Sequence, residues 1–287
     1  MRVSGLGHFP LGTPVPPKEH AVCVSIPTFK DLVGYEEKKP EILNKLKSGY
    51  PRFVRHQRIN VLSKYWNRQK PEAPNETFFF SNPKDWDFAQ NILKISEAEV
   101  EQQEKYLIVH IPGRSKDCAK LHKFFQHAGV GLSSRHAETI LDSLGILSIG
   151  ESVTPNLAAE DDIKSIISKA HGPQVSPEDV LLTISGANAF TSVFRAALIQ
   201  AKQQQKKLWV RLGWLYLDTI EIMDLLVENQ AQIIDLNHPD EFYKLEEIFN
   251  TYGQDIAGIV TEFPSNPLLH SCDLVKVRQL CDQHNAL

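Results

Sequence analysis

Four short segments carry residue types able to hold an anion and a flat polar ring. Leu182-Thr183-Ile184-Ser185-Gly186-Ala187 reads as an apolar strand turning into a helix. Gly186 has no side chain to obstruct a ligand, and the amides of a first helical turn have no internal partners. A phosphate can accept those hydrogen bonds and meets the positive end of the helix dipole. The same residues also suit a plain strand-to-helix turn with Ser185 as its cap. Tyr216, in Trp214-Leu215-Tyr216-Leu217-Asp218-Thr219, can stack on a flat heteroaromatic ring while its hydroxyl finds a polar partner, or it can be a core tyrosine. Asn266, in Thr261-Glu262-Phe263-Pro264-Ser265-Asn266-Pro267-Leu268-Leu269, suits a ring oxygen. It equally suits a turn before Pro267. Far upstream, Tyr50 and Arg52 in Ser48-Gly49-Tyr50-Pro51-Arg52-Phe53 pair a phenol with a guanidinium fork that can grip phosphate. A solvated surface arginine is the alternative.

The elements that would position these residues are most legible from about Gly172 onward. Strand candidates Val180–Ile184, Leu208–Val210, Gln232–Leu236 and Ile256–Thr261 alternate with helix candidates. The helix after Gly186 presents Phe190, Val193, Phe194, Ala197 and Leu198 at spacings that bury one face. Further helices are expected over Ile220–Val227, Phe242–Phe249 and Leu274–Cys281. Such alternation predicts a parallel sheet covered by helices, with ligands beyond the carboxyl ends of the strands. Ser185-Gly186 and Ser265-Asn266 both occupy that position.

Upstream the texture differs. A proline-rich arm (Pro10, Pro14, Pro16, Pro17) cannot be regular helix. It leads into Val22–Pro27 and a helical stretch around Glu41–Lys47. From about Pro71 to His171 the reading is a strand over Tyr106–Ile111 and amphipathic segments over Ala119–Gln126 and Ser134–Leu144. The expected division is therefore 1–70, an arm with a helical segment, then 71–171, an inserted α/β segment, then 172–287. Gly129-Val130-Gly131 lacks the rest of a dinucleotide-loop pattern. His110, His122, His127 and His136 lack a compact ligand spacing, so surface or core roles are expected and no metal site.

With 287 residues, 42% hydrophobic and 23% charged, the chain is long enough for one large domain or two ordinary ones. A net charge of -4 gives no general electrostatic reason to bind nucleic acid or an anionic membrane. Cys23, Cys118, Cys272 and Cys281 are widely spaced, as expected of reduced cytosolic thiols. No apolar run approaches the roughly 20 residues of a membrane span, and a cytoplasmic protein is expected.

Taken in order, Tyr50-x-Arg52, Ser185-Gly186, Tyr216-x-x-Thr219 and Glu262-x-Pro264-Ser265-Asn266-Pro267-Leu268-Leu269 resemble the cysteine/methionine-metabolism family of pyridoxal 5'-phosphate (PLP) enzymes. The cystathionine gamma-synthase branch is the most similar. Val33-Gly34-Tyr35-Glu36-Glu37 and the run from Gln126 to Arg135 also resemble that branch, so the likeness covers most of the chain. It implies an α/β fold, the aspartate-aminotransferase-like (fold-type I) PLP-binding large domain, incomplete, with an N-terminal arm and an inserted segment. It implies that Ser185, Gly186 and Ala187 hold the cofactor phosphate, that Tyr216 stacks on the pyridine ring beside Thr219, and that Asn266 contacts the ring oxygen. Tyr50 and Arg52 would reach the phosphate of a neighbouring subunit, so a homo-oligomer is implied. The family commonly has methionine where Ala187 stands and two glycines where Leu217 and Asp218 stand. The lysine that bonds the cofactor, the aspartate for the pyridine nitrogen and the arginine for the substrate carboxylate would lie beyond Leu287. The expectation is therefore the N-terminal part of an enzyme, or a truncated gene product inactive alone. The implied reaction is trans-sulfuration in methionine biosynthesis: cysteine sulfur displaces the ester group of an activated homoserine to give cystathionine. A gamma-lyase or sulfhydrylase, or a non-catalytic module, is the alternative.

Overall fold

A computed structural model describes residues 9–46, 55–70, 75–149, 156–227, 229–265 and 268–287. Tyr50, Arg52 and Asn266 lie outside them. Contacts divide the chain into two units, 1–126 with 130–182, and 127–129 with 183–287.

The first unit begins with a short antiparallel pair, β1 (Pro14–Val15) and β2 (Cys23–Val24), followed by α1 (Phe29–Glu36) and α2 (Pro40–Leu43). Helix α1 starts at Thr28, whose hydroxyl oxygen accepts the Asp31 amide at 3.1 Å and so satisfies one amide of the first turn. After α3 (Gln57–Arg68) come β3 (Asn75–Phe80), α4 (Pro83–Leu93), β4 (Glu99–Gln102) and β5 (Leu107–Pro112). The three strands form an antiparallel sheet in the order β3-β5-β4, with Phe78 opposite Val109. Central β5 is buried from Leu107 to Ile111. Edge strand β4 faces solvent with Glu99 and Glu101, both paired with Lys70, and a charged edge resists pairing with other chains.

The unit is completed by α5 (Lys116–Ala128), α6 (Ser134–Ser143) and α7 (Ala159–His171). One face of the sheet packs Phe79 and Ile108 against Leu62 of α3 and Ala137, Ile140 and Leu141 of α6. On the other face Phe80 meets Trp86 of α4 at 5.6 Å and Phe125 of α5 at 4.8 Å between ring centroids.

The second unit contains α8 (Gly186–Gln203), β6 (Leu208–Leu212), α9 (Leu217–Leu226), β7 (Ile233–Leu236), α10 (Phe242–Tyr252), β8 (Ile256–Thr261) and α11 (Leu274–Gln283). The strands form the expected parallel sheet, in the order β7-β6-β8. Val210, Leu212, Leu236, Leu245, Phe249 and Ile256 share its core with Cys272 and Cys281. At the β8 edge, Leu287 N donates to Ala257 O (2.9 Å) and Ile259 N donates to Leu287 O (3.0 Å). That exchange is the bonding of a parallel ladder.

Two expectations need correction. Val180–Ile184 is not a strand: a 3-10 turn over Pro177–Asp179 runs into it, and Leu181 and Ile184 are exposed. Among the described residues no strand pairs with it, and an apolar run becomes a strand only beside a ladder partner. On α8 the buried positions are Thr191, Phe194 and Ala201, whereas Val193 is 68% exposed because it lies off that stripe.

Candidate functional site

Ser185 is the N-cap of α8, in extended conformation (φ -163°, ψ 164°), and its Oγ accepts the Asn188 amide at 3.1 Å. The Ala189 amide bonds the Ser185 carbonyl. Among the described residues, this leaves the Gly186 and Ala187 amides without a partner at the positive end of an 18-residue helix. A side chain built on Gly186 would meet nothing within 4 Å, so the approach to these amides is open.

The second helix N-terminus is that of α9. Tyr216 is its N-cap but contributes no side-chain cap. Glu262, just past the end of β8, supplies the acceptor instead. Its Oε1 takes the Tyr216 amide at 2.6 Å and the Thr219 hydroxyl at 3.3 Å. A carboxylate there also complements the helix dipole. The Tyr216 ring is left at the surface, 36% exposed. Leu212 and Thr261 are register partners at the carboxyl ends of β6 and β8, so the Tyr216 and Glu262 loops leave the sheet at the same edge. Beyond Glu262 the loop closes on itself. Ser265 N donates to His270 O (2.9 Å), and Ser265 Oγ, on a residue 2% exposed, accepts the His270 amide (3.0 Å).

Three residues upstream in sequence clasp the two helix starts. His127 Nδ1 lies 2.8 Å from Asp218 Oδ1 in the first turn of α9, and both side chains are buried. The Ala128 carbonyl accepts from Thr191 Oγ1 of α8 (3.4 Å), and the Gly129 carbonyl accepts from Ser185 Oγ (3.4 Å). Gly129 has φ +64°, and a Cβ there would lie 2.3 Å from Ser185 Oγ, so glycine is demanded by both backbone and space. Histidine ending α5 and aspartate opening α9 also match the signs of their helix dipoles.

Ser185, Gly186 and Ala187 thus form one cluster, Tyr216 and Thr219 another through Glu262, and residues 127–129 tie the two helices. Sequence reasoning missed the roles of Glu262, His127 and Gly129. The segment itself carried two signals, the glycines of 129–131, which lack the rest of a dinucleotide-loop pattern, and the family resemblance of the run from Gln126 to Arg135, and neither assigned a role to His127 or Gly129. Leu217 and Asp218 stand where glycines were expected; Asp218 uses its carboxylate to hold His127.

No family model matches the chain, and no solved structure matches it. It is 26% identical to an L-2-amino-4-chloropent-4-enoate dechlorinase/desaturase of Streptantibioticus cattleyicolor, across 94% of this chain and 54% of the relative. A cystathionine gamma-synthase-like enzyme of Amanita muscaria is 24% identical across 97% of this chain and 59% of its own length. The chain is a relative of the cystathionine gamma-synthase-like, PLP-dependent enzymes. The cystathionine gamma-synthase of Saccharomyces cerevisiae matches 59% of this chain, at 26% identity over 28% of that enzyme. The chain spans about half the length of the first two of these relatives, 54% and 59%. The mixed α/β units are compatible with the fold-type I architecture of cystathionine gamma-synthase-like enzymes. No helix among the described residues is long and apolar enough to cross a membrane.

Proposed function

We propose that these residues carry the phosphate- and ring-holding part of a PLP-dependent trans-sulfuration enzyme that joins cysteine to an activated homoserine ester, giving cystathionine. The observation that supports this most is the pair of unpartnered amides, Gly186 and Ala187, at the open start of α8. They suit a phosphate dianion, while exposed Tyr216 suits one face of a pyridine ring. When bound, PLP acts as an electron sink for a carbanion on the amino-acid substrate. The chain's own residues bind and orient. The α8 amides grip the phosphate, and Glu262 fixes the loop that carries Tyr216. His127–Asp218 and Ser185–Gly129 hold the two helix starts in register. Tyr50 and Arg52 are assigned to a neighbouring subunit's cofactor, so the functional unit is a homo-oligomer.

Gly186→Pro tests the phosphate contact. Proline is favoured at the first helical position, the preceding Ser185 is already extended, and the site has room. The helix therefore survives while one N–H disappears. Hydrogen bonds to a charged group contribute about 1.5–3 kcal/mol. PLP affinity should accordingly fall about 10- to 100-fold while pyridoxal, which lacks the phosphate, loses nothing. An equal loss for both ligands would refute the assignment.

Elimination from a gamma-substituted amino acid is the second reading, supported by the dechlorinase/desaturase relative that matches 94% of the chain. Product analysis with acylhomoserine, with and without cysteine, separates the two. Cystathionine supports replacement, and a keto acid with ammonia supports elimination.

A further inference from the structure

Away from the helix-start site, three side chains of unlike chemistry converge in the first unit. Glu76 comes from β3, and Cys118 and His122 lie one turn apart on the same face of α5. Their donor atoms all lie within 4.8 Å of one another. Glu76 Oε2 sits 2.8 Å from His122 Nε2 and 3.3 Å from Cys118 Sγ.

We propose that Glu76, Cys118 and His122 form a site for one divalent cation of zinc's class, with a fourth position open to solvent. The proposal is independent of the trans-sulfuration reading.

The spacing fits. Zinc bonds sulfur at about 2.3 Å and nitrogen or oxygen at about 2.0–2.2 Å in a tetrahedron, so its ligand atoms stand roughly 3.3–3.7 Å apart. The Glu76–Cys118 separation is already there. The His122–Glu76 hydrogen bond has to open by about half an ångström, and the Cys118 sulfur and His122 nitrogen, within 4.8 Å of each other, have to settle at about 3.6 Å; the His122 side chain is 51% exposed. Cys118, at 2% exposure, closes the inner side.

The ligands are also held in place. The Cys118 amide donates to Ser115 Oγ at 3.0 Å, fixing the first turn of α5. The His122 ring packs edge-on against Phe78 with centroids 5.0 Å apart. Arg55 Nη2 lies 3.4 Å from the other Glu76 oxygen, Oε1, which steadies the carboxylate while leaving Oε2 to the cation. Outer partners of this kind orient metal ligands.

The ligand chemistry selects the ion. Thiolate and imidazole favour zinc and its neighbours, whereas calcium and magnesium take oxygen donors almost exclusively. Binding forms metal–sulfur, metal–nitrogen and metal–oxygen bonds and releases the Cys118 thiol proton to solvent, with no change of oxidation state. The thiolate and Glu76 then cancel the two charges of the cation, leaving Arg55 as the local charge. A histidine-spacing search misses such a site because the carboxylate arrives from a strand 42 residues before the cysteine.

Cobalt(II), a spectroscopic stand-in for zinc, provides the test. One equivalent per chain should give a thiolate-to-cobalt charge-transfer band that stoichiometric zinc abolishes. Cys118→Ser should remove the band. Glu76→Gln and His122→Asn should each weaken binding at least about tenfold. His122→Asn changes a half-exposed position and so tests the site with less disturbance than a change at buried Cys118. A folded protein with no such band, a band that persists in Cys118→Ser, or unchanged affinity in His122→Asn would overturn the proposal.

Discussion

Gly129→Ala should damage the cofactor site from a distance, and its cost separates into parts. Gly129 adopts φ +64°. The left-handed backbone costs an alanine about 1–2 kcal/mol, partly offset by about 0.4–1 kcal/mol from a stiffer unfolded chain. Gly145 supplies the control, since it has φ +68° and an added methyl there would meet nothing within 4 Å. Gly145→Ala should therefore cost about 1 kcal/mol or less. At Gly129 the methyl would lie 2.3 Å from Ser185 Oγ and 2.7 Å from the Asn188 amide. Ser185 must then give up its cap, about 1 kcal/mol, and the packing must yield, about 1–3 kcal/mol. The excess of Gly129→Ala over Gly145→Ala is thus about 2–4 kcal/mol, read from urea unfolding of the two variants. Because Ser185 orients the first turn of α8, Gly129→Ala should also lose PLP affinity and Gly145→Ala should not. Equal unfolding costs within about 0.5 kcal/mol, or wild-type PLP affinity in Gly129→Ala, would refute the clasp.

Glu262→Ala should destabilise the start of α9 by about 1–2 kcal/mol, with Glu262→Gln milder because it keeps an acceptor; undiminished amide-exchange protection across Leu217–Ile220 would contradict this. His110 should make stability pH-dependent. Burial first, and the Lys70 charge second, hold its pKa below the ordinary value, against the opposing pull of Glu101 and Glu99. The unfolded chain therefore takes up the proton first, so stability is full above about pH 7 and falls as the pH drops through about 6.5 towards the folded pKa. Melting temperature between pH 7 and pH 5 should decline more steeply in the wild type than in His110→Gln, and identical slopes would count against it.

The parallel sheet was readable because β6, β7 and β8 are short apolar runs separated by helices with their own periodicity. The antiparallel β3-β5-β4 sheet was not, beyond the apolar core of β5. Its order depends on pairings such as Phe78 with Val109, and no local pattern announces a partner thirty residues away. Val180–Ile184 misled for the complementary reason, since its composition suits a strand but no described neighbour provides a ladder. At the site, the helix start at Ser185-Gly186 was legible because caps are local chemistry, whereas Tyr216 was singled out for its ring and not as the N-cap of α9. Gly129 was not legible, because what forbids a side chain there is Ser185, 56 residues on. Glu262 lay in a segment singled out for Asn266, and its role emerged only from the Tyr216 amide it accepts.

The buried cysteines turn the chain into its own pair of clocks. Cys118 belongs to the first unit, Cys272 and Cys281 to the core of the second, and all three are closed to solvent while Cys23 is exposed. The thiolate is the form that alkylates; burial, with Glu76 beside it, pushes the Cys118 thiol up to about 12, and burial raises that of Cys281 as well. Each buried thiol is therefore silent until its surroundings open, and its labelling rate records how often they do. Timed alkylation read peptide by peptide would date the opening of each unit separately. Coincident rates would mean one cooperative body, and divergent rates two that breathe on their own schedules.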